Sequence, residues 1–97
     1  MAARKAASGS LALAPVLDLN EASVLHGKLM SMRGKGIAID ASAVERVGVQ
    51  CAQVLVAGAR AWAADKKSFE IAKSSDAFAK TMQLIGIDDD NLVAKEI

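Results

Sequence analysis

The chain is short of the residues that most often carry chemistry or stacking. It holds no tyrosine, one tryptophan, two phenylalanines, one cysteine, one histidine and one proline among 97 residues. So few aromatic rings leave little for a platform that stacks on single-stranded nucleic acid. Charge does not replace them: twelve Lys and Arg face eleven Asp and Glu, a net of +1. Nucleic-acid binders instead gather an excess of basic residues on one face. Cys51 is alone and can form no internal disulfide, and no CxxC or Cys/His cluster offers a zinc site, which fits a reducing compartment. The early apolar stretch LALAPVL is short and interrupted by Pro15, so it reads neither as a signal peptide nor as a membrane span. The expectation is a cytoplasmic protein with no nucleic-acid partner and no direct membrane insertion.

What is present is alanine. Twenty of the residues that make up the 53% hydrophobic content are Ala, beside nine Leu, eight Val, six Ile and two Phe. The larger apolar residues are about a quarter of the chain. That suffices for one thin two-layer domain and excludes a multidomain enzyme. Charge is mildly polarised: residues 1–35 carry five basic against two acidic side chains, and residues 61–97 carry five against seven. So weak a dipole suits a protein partner better than a polyanion.

Residues 1–9 show no period and read as a flexible N-terminal tail before a single domain over 10–97. From Ser10 the pattern alternates through Leu11 and Leu13 to Pro15, an edge strand followed by a second short strand near Val16–Leu17. Asn20 is a candidate cap for a helix from about Glu21, with Leu25 and Leu29 one turn apart, stopping at Arg33-Gly34-Lys35-Gly36. Ile37–Ala41 is a short central strand ending at a carboxylate. The loop Ser42–Gly48 turns Val44 and Val47 inward and Glu45 and Arg46 outward.

Residues 49–64 form the longest helical run, with Val49, Ala52, Leu55, Val56, Ala59, Trp62 and Ala63 on one apolar face. Ala52, Ala59 and Ala63 should let this helix sit close to the strands, and Trp62 is either its buried anchor or an exposed contact. A strand over Ser68–Ala72 follows. Ser74 or Ser75 then caps a third helix carrying Ala77, Phe78, Met82, Leu84 and Ile85, ended by Gly86. Asp88-Asp89-Asp90 reads as a solvated turn and Leu92-Val93-Ala94 as a possible last strand. The order β-β-α-β-α-β-α-(β) implies an α/β fold: a mixed, largely parallel sheet of four to five strands, covered by three or more helices in one layer.

Little in this arrangement carries chemistry. His26, within the first helix, has no evident nucleophile or orienting acid and reads as an ordinary side chain. Cys51 lies at a helix start that could stabilise a thiolate, but Ala52 and Val54 beside it suit packing equally. Three adjacent aspartates lack the alternating ligand positions of a calcium loop, and Gly34-Lys35-Gly36 is too short for a phosphate cradle. Asp40, at a strand end where α/β sheets place functional loops, is either part of a site or a cap on its own loop. No acid–base pair, nucleophile set, metal cluster or cofactor site emerges, so no enzyme is expected.

The segment IAIDASAVERVGVQCAQVLVAGARAW, with VLDLNEASVLHGKL before it and SDAFAKTMQLIGID after it, resembles the STAS domain, the fold of anti-sigma-factor antagonists and sulfate-transporter tails. In that resemblance Asp40 takes the strand-end aspartate and Ser42 the small polar residue two positions on. Gly48-Val49-Gln50-Cys51 takes the helix-opening signature, close to Asp-Ser/Thr-Ser/Ala-Gly in the family. Kinase-switched members carry a phosphorylatable hydroxyl there. This chain has none at those four positions, so no phosphorylation site is expected. What the resemblance leaves is a docking surface, with Asp40, Glu45, Arg46, Gly48, Val49, Gln50 and Gln53 as candidate partner-binding residues.

The chain, including its loop VERVGVQC, looks most like the stand-alone CheS-type proteins of alphaproteobacterial chemotaxis operons. That implies a non-catalytic adaptor in two-component signalling that binds the histidine kinase CheA and promotes its interaction with a phosphorylated response regulator. Two other uses of the same fold are an accessory subunit docking on the ATPase of a phospholipid ABC transporter and a partner-switching anti-sigma-factor antagonist.

Overall fold

The computed structural model of the chain describes residues 9–87 together with Leu92. Along it run β1 (Gly9–Ala12), β2 (Val16–Leu17), α1 (Leu19–Ser31), β3 (Ile37–Ala41), β4 (Arg46–Val47), α2 (Val49–Ala64), β5 (Phe69–Ser74) and α3 (Asp76–Leu84). β3 lies between β1 and β5, and β2 pairs separately with β4. Each of these pairings is parallel. Among the described residues the fold is α/β, with five strands in a three-plus-two arrangement and three helices. It therefore falls within the range expected from the sequence.

Alternation along β3 decides which face is covered. Ile37, Ile39 and Ala41 are fully buried while Ala38 and Asp40 between them are half-buried, the period-two signature of a sheet packed on one side. Leu11 of β1 and Ile71 of β5 lie opposite Ile39. Phe69 lies opposite Ile37. The helices close over this face. α1 contributes Ala22, Leu25 and Leu29, and α2 contributes Cys51, Ala52, Leu55, Ala59 and Trp62. Trp62 is a buried anchor. Its indole N–H donates to the Lys35 carbonyl at 2.8 Å, and its ring meets Phe69 edge-on at 5.7 Å. The Arg33 guanidinium lies 5.8 Å from the ring centroid, tethered by Asp65 at 2.7 Å.

Several expectations need correction. Strand β1 starts at Gly9, inside the stretch read as tail, and the Gly9 N–H donates to the Gly36 carbonyl at 3.1 Å. The cap of α1 is Asp18 and not Asn20: the Asp18 carboxylate accepts from the Glu21 N–H at 3.0 Å, so the helix begins at Leu19. Carboxylates are strong N-caps, and Asp-x-x-Glu has the spacing of a capping box. The loop Ser42–Gly48 contains β4, which two residues are too few to announce by period. Strand β5 runs on to Ser74, with a bulge that shifts register between Ile39 opposite Ile71 and Asp40 opposite Lys73.

The apolar face of α2 is narrower than its spacing suggests. Val49 and Ala63 are exposed. The closest approach falls instead at Gly58, where a Cβ would stand 3.2 Å from Leu29 Cδ1 and 3.3 Å from Phe69 Cε2. In α3, capped by Ser75, Phe78 and Met82 are buried, whereas Leu84 and Ile85 are exposed. Leu92 joins the core. Residues 1–8, the three aspartates at 88–90 and the rest of the possible last strand lie outside the described residues.

Candidate functional site

Helices α1, α2 and α3 start where β2, β4 and β5 end. β2 and β4 are parallel neighbours and Ser75, the cap of α3, is bonded to Val44 before β4, so the three helix starts lie along one edge. The chain between β3 and α2 is fixed to that edge largely by backbone. Val44 is buried; its N–H donates to the Ala41 carbonyl at 3.2 Å and its carbonyl accepts the Ser75 hydroxyl at 2.6 Å. The N–H groups of Glu45 and Arg46 both donate to the Pro15 carbonyl, at 2.7 and 3.2 Å. Val16 stands opposite Arg46 and Leu17 opposite Val47. The Gly48 N–H then donates to the Leu17 carbonyl at 2.7 Å. A Cβ at Gly48 would lie 3.1 Å from that same oxygen, a tight contact that a larger residue could make only if the two segments eased apart by a few tenths of an ångström.

Helix α2 opens from Gly48 with no side-chain cap. Cys51, in its first turn, is fully buried, and its thiol donates to the Asp18 carbonyl at 3.3 Å. This contact ties the start of α2 to the start of α1. Burial pushes the thiol pKa up, and the carboxylates of Glu21 and Asp18 push it further. Cys51 is thus held as a thiol facing inward, the reverse of an activated nucleophile.

The residues around Cys51 turn the other way. Glu45, Arg46, Val49, Gln50 and Gln53 are exposed and Gly48 half-buried, all on one edge. Two apolar residues that sequence spacing missed lie beside them, Leu19 and Val16. Leu19 and Val49 are the first residues of two helices tied together at their starts, 67% and 52% exposed. Leu19 precedes Ala22 and Leu25 at three-residue spacing, which points it to the core by period alone. A first-turn side chain, however, leans back toward the helix N-terminus and so projects past the sheet edge. An apolar residue directly after a helix cap was the available signal.

Asp40 is half-buried and bonded within its own loop. Its carboxylate accepts the Ser42 hydroxyl at 2.6 Å and the Ser42 N–H at 2.9 Å. Those two bonds, side chain first, hold its pKa below the ordinary range, helped by the charge of Lys73. It caps its own loop. His26 is exposed on α1. A groove of about 840 Å³ lies elsewhere, between β5 and α3, lined by Ile71, Phe78, Met82 and Leu92 with Glu70 and Ser74. Among the described residues no group of three or more His, Cys, Asp or Glu could hold a metal ion. No described helix is long and apolar enough to cross a membrane.

Parallel strands packed on one face by helices, with exposed apolar and polar side chains at the helix starts, are the architecture these elements build. The chain matches the family model described as "Mlab, STAS domain" over residues 1–94, and it belongs to the STAS domain family. STAS domains are non-catalytic partner-binding modules. Neither the curated proteins nor the solved structures contain a match.

Proposed function

We propose that this chain is an adaptor that docks on the ATPase subunit of a phospholipid ABC transporter, on the cytoplasmic side, through the edge formed by Val16, Leu19, Glu45–Gln50 and Gln53. The observation that carries the docking surface is the pair Leu19 and Val49, two large apolar side chains left in solvent at helix starts tied to one another. Isolated exposed apolar residues are ordinary; two of them at the starts of helices tied together support a docking surface there. The choice of partner is supported by the family model, whose description carries the name Mlab, together with the use of stand-alone STAS proteins in lipid transport. The chemotaxis reading, in which CheA and a response regulator are the partners, rests on overall resemblance, including the loop VERVGVQC.

The test is a calorimetric titration against the purified ATPase subunit and, in parallel, against the histidine kinase. A one-to-one complex with the ATPase is expected, weakened roughly tenfold to a hundredfold by Leu19→Ser or Val49→Ser. Each substitution removes an apolar contact of about 1.5–3 kcal/mol. Both residues are exposed, so the circular dichroism spectrum stays unchanged. Parent-like affinity of both variants places the interface elsewhere. A complex with the kinase in place of the ATPase decides for chemotaxis.

A further inference from the structure

We infer that the partner surface received by this edge is basic: an apolar centre ringed by lysine or arginine side chains. The inference rests on the docking surface proposed above and names the chemistry of what it accepts. The apolar centre is Leu19 and Val49, with Val16 at its margin. Asp18 and Glu21 flank Leu19, and Glu45 lies one residue before Arg46, which stands opposite Val16. Over residues 16–21 and 45–53 the charged side chains are therefore three carboxylates and one guanidinium. The chain as a whole carries a net charge of +1, so this edge is more acidic than the chain's average.

The nearest other charges do not reverse it. Asp40 and Lys73 stand opposite each other in the sheet and offset one another. Ser75, bonded to the Val44 carbonyl, brings Asp76 to the same edge as a further acid. The basic residues of α1 lie at its far end: Lys28 is in the last turn, and Arg33, beyond the helix, is engaged by Asp65.

Helix architecture accounts for part of this pattern. Asp18 caps α1 and Glu21 sits in its first turn, where acids favour the helix dipole. Glu45 has no such role. It lies outside both helices, it is exposed, and its carboxylate has no partner among the described residues. A free carboxylate beside an apolar patch steers and orients a positively charged partner. Arg46 is then the group that opposes that partner.

The experiment repeats the titration against the purified ATPase subunit from about 50 to about 500 mM NaCl, where screening grows steeply. Affinity of the parent should fall with salt. Glu45→Lys should weaken binding about tenfold at low salt and flatten the salt dependence, Glu45→Gln should fall between, and Arg46→Glu should tighten binding. Val49→Ser is the control for the surface itself. If Val49→Ser weakens binding while Glu45→Lys changes neither affinity nor salt slope, the surface stands and the basic partner is refuted. If Val49→Ser and Glu45→Lys both bind as the parent does, the surface falls and the inference falls with it.

Discussion

Gly58 is where α2 comes closest to Leu29 of α1 and Phe69 of β5. A pair of glycine-to-alanine substitutions tests that geometry. Both Gly27 and Gly58 lie inside helices, and replacing glycine by alanine in a helix interior gains about 1 kcal/mol in propensity. At Gly27 a Cβ would meet nothing within 4 Å, so Gly27→Ala should stabilise the domain by about that amount. At Gly58 the same Cβ would press on Leu29 Cδ1 at 3.2 Å and Phe69 Cε2 at 3.3 Å. Leu29 and Phe69 are both buried, so neither moves without disturbing the core. Overpacking of this kind costs about 1–3 kcal/mol, which cancels or outweighs the propensity gain.

The two substitutions should therefore differ by about 1–3 kcal/mol, with Gly58→Ala on the unstable side. Gly58→Val adds two further methyl groups and should be worse still. Urea denaturation followed by circular dichroism measures this: midpoints should separate while the slope stays constant. In thermal melts about 4–8 °C per kcal/mol is expected for a domain of this size. Gly58→Ala stabilising as much as Gly27→Ala would refute the close approach of α2 to Leu29 and Phe69.

Three further outcomes follow from single contacts. Trp62→Phe removes the indole donor to Lys35 and part of a buried ring, and should cost about 2 kcal/mol, read as a lower urea midpoint. Cys51, buried and with its pKa raised, should resist a thiol reagent such as dithionitrobenzoate in the native protein and react at once in urea; fast native labelling would contradict the inward-facing thiol. The Asp40 pKa is lowered in the fold, so the stability this supplies is present above the unfolded carboxylate value of about 3.9 and is lost as pH falls through the folded value. Ser42→Ala, which deletes the main donor, should flatten the pH dependence of the urea midpoint below about pH 4, and an unchanged acid limb would show that Asp40 gains nothing from Ser42.

The long elements were legible because period needs length. Helix α2 has the bounds that its apolar spacing gives, and Ile37–Ala41 declared itself by β-branching and a terminal carboxylate. Strand β4 could not declare itself, since it exists only because the chain after Pro15 runs beside it. Asp18 was hidden by Asn20, which also suits a cap; which of them caps depends on where the chain leaves Leu17. The edge residues from Glu45 to Gln53 came from motif position, and all but the half-buried Val47 and Gly48 and the buried Cys51 and Ala52 are exposed. Leu19 and Val16 did not, because exposure at a helix start depends on where the sheet ends, which no local pattern records.

That edge also bears on how binding could be controlled. A phosphorylation switch at the helix-opening signature needs a hydroxyl, and residues 48–51 supply none; the one polar hydrogen on a side chain buried there, the Cys51 thiol, is spent on the Asp18 carbonyl. Helix α2 has neither a side-chain cap nor an acid in its first turn, so its N-terminal amides keep their partial positive charge. Gln50→Glu should therefore stabilise the fold by about 0.3–1 kcal/mol through the dipole, and through the same charge it should tighten a basic partner. The two effects separate cleanly. Urea denaturation reads the first in the free protein, and titration against the ATPase at low and high salt reads the second. A variant more stable yet binding more weakly at low salt would mean that the partner presents acid to this edge, and that the carboxylates of Asp18, Glu21 and Glu45 serve α1 and solubility alone.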